Sequence, residues 1–195
     1  MSGSDIRDRF AQAQFGRWFG IYFAFAAALF FAGAFLGYVV ADPAILKQLG
    51  DVDGEPLFPE EITTWTIFLN NVLAVGITAM GIVTLGLAAV FSVVVNGFIL
   101  GLVFGLALTV IPVTTALILV IPHGVIELTA FFLVAGITFR VNHRLARYVV
   151  GRDETVLTRQ ELFEIGVLFV VAVVLIAIAA WIEANVTLAL TEVVL

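Results

Sequence analysis

The chain has 195 residues, 62% of them hydrophobic, with a mean hydropathy of +1.15. Soluble domains carry about 45–50% apolar residues, so the composition excludes a soluble globular protein and leaves a single membrane domain. A net charge of −6, without a basic patch or zinc-ligand spacing, argues against a nucleic-acid partner, and the absence of cysteine removes disulfides and thiolate chemistry.

In chain order, residues 4–17 read as a short amphipathic arm with Ile6, Phe10 and Ala13 on one face, or as a solvated one. The first span, 18–41, is free of charge. It exceeds the roughly 7–15 apolar residues of a cleaved signal peptide and reads as an anchored helix. Asp42 to Glu61 is acidic and broken by Pro43, Gly50, Gly54, Pro56 and Pro59, which reads as a loop. Lys47, the sole lysine, lies in it; so strong an acidic bias hints at a high-salt organism.

A second polar stretch, Arg140 to Glu161, carries Arg140, Arg144, Arg147, Arg152 and Arg159. Its start reads as a surface helix with Val141, Leu145 and Tyr148 on the apolar side. Such a helix suits anionic lipid, although the arginines are explained as well by topology control. A last span follows at 162–182, then a tail with Glu183 and Glu192.

Positive residues mark the inner side. Arg7, Arg9 and Arg17 put the N-terminus inside, the acidic loop falls outside, the arginine-rich stretch inside and the C-terminus outside. Passing from an outer loop to an inner one takes an odd number of crossings, and the apolar run between Glu61 and Arg140 is long enough for three. The expectation is therefore an all-α integral membrane protein with five transmembrane helices at about 18–41, 62–95, 98–121, 122–140 and 162–182. One crossing plus two re-entrant half-helices satisfies the same parity.

Within that run, Asn96-Gly97 and Pro122-His123-Gly124 read as turns. The second helix is then too long for a hydrocarbon core of about 30 Å. It must tilt, project or break, with Gly76, Gly81 and Gly86 as bend points. Pro112 should kink the third helix. Trp18 falls at the inner interface, Trp65 and Trp181 at the outer one.

Between Glu61 and Arg140 the chain has one acid, Glu127, four residues after His123 and so on the same helical face. A charge in an apolar span is costly, about 2.5–3.5 kcal/mol at a helix centre for Asp, Lys or Arg. The pair suits a polar clamp between helices, a proton, ion or solute site, or, least of all, hydrolysis. No His-Glu-x-x-His or Gly-x-Ser-x-Gly pattern supports a catalytic centre. One His and one Glu are too few for a metal, and no cofactor is expected. Asn70 and Asn71 enter from the outer side at a depth similar to His123, with Glu127 about 6 Å deeper. The arrangement reads as an outer-leaflet polar cluster shared by the second and fourth helices. Gly33 and Gly37, and Gly97, Gly101 and Gly105, have the spacing that lets helix backbones approach closely, within one chain or between subunits.

Asn70-Asn71, Asn96-Gly97 and Pro122-His123-Gly124-Val125-Ile126-Glu127-Leu128 together resemble the stage II sporulation protein M family of membrane proteins. The resemblance implies a polytopic fold. It also implies an assembly or localisation subunit rather than a hydrolase, since the family's namesake acts with cell-wall hydrolases during engulfment. Many relatives live in organisms that do not sporulate, so it implies a fold and a site more than a process. The functional expectation is a non-enzymatic scaffold at the cell membrane, in contact with lipid and self-associating or joining other membrane proteins. The alternative is a transporter or channel using His123 and Glu127.

Overall fold

The computed structural model describes residues 3–42, 63–187 and 189–190. Most of the expected acidic loop, with its Pro and Gly breakers, and Glu192 lie outside the described residues. In chain order come α1 (Gly3–Gln12), a 3-10 turn (Phe15–Trp18), α2 (Ile21–Val39), α3 (Thr64–Met80), α4 (Leu87–Ala107), α5 (Val113–Val149), α6 (Arg159–Ile182) and a π turn (Glu183–Thr187). No strand occurs among the described residues.

Five helices, α2 to α6, alternate in direction along the chain and pack with α5 at the centre. Every residue of α5 from Ala130 to Phe139 is buried, as expected of a helix that is apolar all round. Phe132 packs against Phe23 and Phe30 of α2, with ring centroids 5.7 and 5.2 Å apart. Ala172 and Ile176 of α6 and Val75 of α3 close the same core.

Contacts between helices define two ends of the bundle. At one, which holds the start of α2, Arg140 Nη1 donates to the Arg17 carbonyl (2.7 Å) and Asn142 Nδ2 to the Gly81 carbonyl (2.9 Å). At the other, Gly105 of α4 meets Tyr38 and Ala41 at the end of α2, and Asn185 reaches Thr64 (3.4 Å). Following the charge rule, we call these the inner and outer ends.

Several expected boundaries shift, each for a local reason. The long second helix breaks at 81–86, where Leu85 (φ 53°) and Gly86 (φ 89°) take left-handed backbone conformations, which only glycine adopts without cost. Asn96-Gly97 is no turn: both residues lie inside α4, and Asn96 Nδ2 bonds back to the Ser92 carbonyl (2.8 Å). Pro122 does not start a helix either, but lies inside α5, where an apolar bundle tolerates the one missing N–H bond. Pro112 does not kink a helix; it caps the start of α5 with extended backbone (φ −61°, ψ 149°). The arginine-rich stretch begins as the inner end of α5 rather than as a separate surface helix, so Val141 is buried while Tyr148 is exposed.

α2 with the 3-10 turn before it, α4, α5, and α6 with the π turn after it make four segments long and apolar enough to cross a bilayer. α3 is apolar but has 17 residues, about 26 Å at 1.5 Å per residue. The expected fifth crossing therefore rests on α3.

The two glycine registers serve each other inside the chain. A methyl group at Gly97 or Gly101 would collide with the carbonyl oxygen of Phe30 or Ala34 in α2. A methyl at Gly33 or Gly37 would strike the carbonyls of Val94 or Phe98 in α4. α2 and α4 thus meet backbone to backbone, and the face that could have served a second subunit is taken.

Candidate functional site

A cavity of about 110 Å³ opens where all five helices converge. From α5 it takes Val120, His123, Gly124, Glu127, Leu128 and Phe131, whose spacing of three and four residues is one helical stripe. α3 adds Asn71, Ala74 and Val75, α4 adds Asn96 and Leu100, and Phe30 and Ile176 come from α2 and α6. The space is large enough for several waters or a small solute, and its walls carry polar groups that suit one.

His123 is held from the C-terminal side. Its Nδ1 lies 3.1 Å from Thr187 Oγ1 and its Nε2 3.9 Å from Glu183 Oε2. The first contact is a hydrogen bond. The second is too long for one. Both partners belong to the π turn after α6, a rare backbone form found often at functional sites. Ligand atoms of His123, Glu127 and Glu183 all lie within 4.8 Å of one another.

Glu127 has no hydrogen-bond or ion-pair partner among the described residues, and neither has Asn71, although Asn71 is only 9% exposed. Asn96 donates its amide N–H to Ser92, which leaves its amide oxygen available. Buried polar groups in proteins are nearly always paired; Asn71 is buried and Glu127 and Asn96 are half-buried, so three side chains present spare hydrogen-bonding capacity to one cavity.

Of the residues singled out in the sequence, Asn71, His123 and Glu127 meet here, joined by Asn96, which the sequence suggested as a turn. Asn70 is exposed and does not line the cavity; Gly124 lines it, while Gly97, Gly101 and Gly105 serve the α2–α4 contact. Glu183 and Thr187 were missed. The signal available for Glu183 was topological: it follows the last span at the end to which His123 was assigned.

A second polar cluster, at the inner end, was read only as loop charge. Glu164 is fully buried and accepts from the Gln14 backbone N–H (3.0 Å), Arg17 Nε (2.8 Å) and Nη2 (2.6 Å), and Trp18 Nε1 (2.8 Å). Glu161 pairs with Arg144 and closes a capping box with Thr158 at the start of α6. Arg140 lies over the Trp18 ring, 4.8 Å from its centroid. Trp18 is therefore a buried joint (1% exposed) rather than an interface anchor, whereas Trp65 and Trp181 are exposed. Outside the spans, a hydrogen bond from Arg147 holds the Asp153 carboxyl below its usual range. The arginines are thus largely engaged with protein.

The family model described as stage II sporulation protein M matches residues 26–188. The chain belongs to this family. The match runs from α2 to just past the π turn, so every residue around the cavity falls inside it. An uncharacterised protein of Methanocaldococcus jannaschii is 27% identical over 161 residues, covering 82% of this chain and 89% of that protein. No solved structure matches. This family member is thus a membrane protein built as a helical bundle, with a polar cavity where its helices meet.

Proposed function

We propose that the working part of this protein is the outer cavity, and that it binds a small cation or polar solute. The observation that carries the reading is Glu127: a carboxylate facing a cavity inside an apolar bundle, with no partner among the described residues. A helix clamp would need such a partner; His123 has one in Thr187, Glu127 does not. The scaffold reading loses the support of the glycine stripe, which is occupied within the chain. In the proposed arrangement the chain crosses the cell membrane five times with its N-terminus inside. It has no enzymatic activity of its own, and the cavity opens toward the outer side.

The test is thermal unfolding in detergent, after chelator treatment, against a panel of monovalent and divalent cations, amines and small neutral polar solutes. At least one should raise the melting temperature of the wild type; a ligand at 100 times its Kd adds about 2.7 kcal/mol. Glu127→Leu should abolish that protection while leaving the untreated protein at least as stable as wild type, because it removes an unpaired polar group. A destabilised Glu127→Leu variant, with nothing on the panel protecting the wild type, would restore the clamp.

A further inference from the structure

Resting on the reading of the cavity as a binding site, we propose that its ligand is a divalent transition-metal ion, held by His123, Glu127 and Glu183. Three observations converge. The imidazole and the two carboxylates offer ligand atoms within 4.8 Å of one another, and ligands about 2.0–2.2 Å from a tetrahedral zinc ion lie about 3.3–3.6 Å apart. Modest side-chain movement closes that gap. Secondly, His123 Nε2 and Glu183 Oε2 stand 3.9 Å apart, too far for a hydrogen bond and suited to an ion between them. Two carboxylates this close repel each other when both are ionised, and either a shared proton or a cation between them relieves that repulsion.

Thirdly, the imidazole is oriented as metal-binding histidines usually are. Such residues donate the remote ring N–H to an oxygen, which fixes the tautomer and leaves the other nitrogen to bind metal. Here Thr187 Oγ1 lies 3.1 Å from Nδ1. Nδ1–H donating to it leaves the Nε2 lone pair for the ion, on the side of Glu183.

The donor set narrows the ion. One nitrogen and two carboxylates, with no thiolate in the chain, suit zinc, manganese, iron(II) or cobalt rather than copper(I). Calcium takes 6–8 oxygen ligands, more than this group supplies. Three protein ligands leave a coordination position for water or a solute, and the amide oxygens of Asn71 and Asn96 on the cavity wall can accept from it. The ligands come from α5 and from the turn after α6, so the ion would add a second link between them beside the His123–Thr187 hydrogen bond.

The experiment uses the full chain in detergent with its affinity tag removed, stripped with chelator and dialysed against zinc or cobalt. Elemental analysis and titration calorimetry should give one ion per chain. His123→Gln, Glu127→Gln and Glu183→Gln should each weaken binding at least tenfold, while Glu154→Gln in the inner loop should leave it unchanged. Thr187→Val, which removes the oxygen beside Nδ1, should weaken binding 10–100-fold while keeping the stoichiometry. Failure of the wild type to bind zinc, cobalt, manganese or iron(II) stoichiometrically would overturn the proposal. So would binding insensitive to all three ligand changes. A neutral solute or monovalent cation that protects the wild type through Glu127, with no transition metal bound, would overturn the metal and leave the cavity reading standing. Protection by nothing on the panel would remove both.

Discussion

Two acids near the two ends of α6 illustrate how residue type alone under-determines role. Glu164 and Glu183 look alike in the sequence: single acids bordering an apolar span. Glu164 accepts four hydrogen bonds from the 14–18 segment, whereas Glu183 stands 3.9 Å from His123. The first is a structural joint and should behave as one. Removing one member of a buried pair costs about 3–5 kcal/mol; with the Arg17 side chain 27% exposed, Glu164→Ala should lose about 3 kcal/mol, measured by thermal or SDS unfolding in detergent. Glu183→Gln should leave the stability of the metal-free protein nearly unchanged. The cluster of His123, Glu127 and Asn71 was legible because polar side chains in apolar spans are few and helical spacing aligns them. Glu164 was not, because an acid near an arginine-rich loop is ordinarily solvated; its burial is set by Trp18 and Arg17, about 146 residues earlier in the chain.

At the scale of elements, five long helices could be anticipated from the hydropathy, but where two of them turn could not. Asn-Gly and Pro-His-Gly carry strong turn chemistry, and both lie inside helices because a membrane bundle removes water, the usual competitor for backbone groups. The true break at 81–86 is signalled only by Gly81 and Gly86, two glycines among many. The packing role of Gly97, Gly101 and Gly105 was legible as close approach, while the partner was open until α2 was seen to fill it. Gly101→Leu should therefore separate α2 from α4 and strongly lower the melting temperature. Gly76→Ala, where a methyl meets nothing within 4 Å, should not lower it. Equal stability of the two variants would show that the α2–α4 contact is not needed for folding.

For the whole molecule, the absence of native cysteine gives labelling a clean background. In sealed, right-side-out vesicles, a cysteine at Thr109, between α4 and α5, should react with an impermeant maleimide added outside. Cysteines at Thr155 and at Val83, in the α3–α4 turn, should react only after permeabilisation. Outside labelling at Val83 would mean that 17-residue α3 does not cross. The inner-end joint has one more consequence, in the order of synthesis. Arg17 and Trp18 leave the ribosome early, Arg140 and Arg144 late, and Glu161 and Glu164, which hold them, last among these groups. Until α6 is inserted, a nascent chain carries three arginines and an indole at the bilayer surface without their acids. Biogenesis therefore has an end point that quality control can read, and a chain stopped before Arg159 should be degraded faster in cells than one carrying Gly101→Leu.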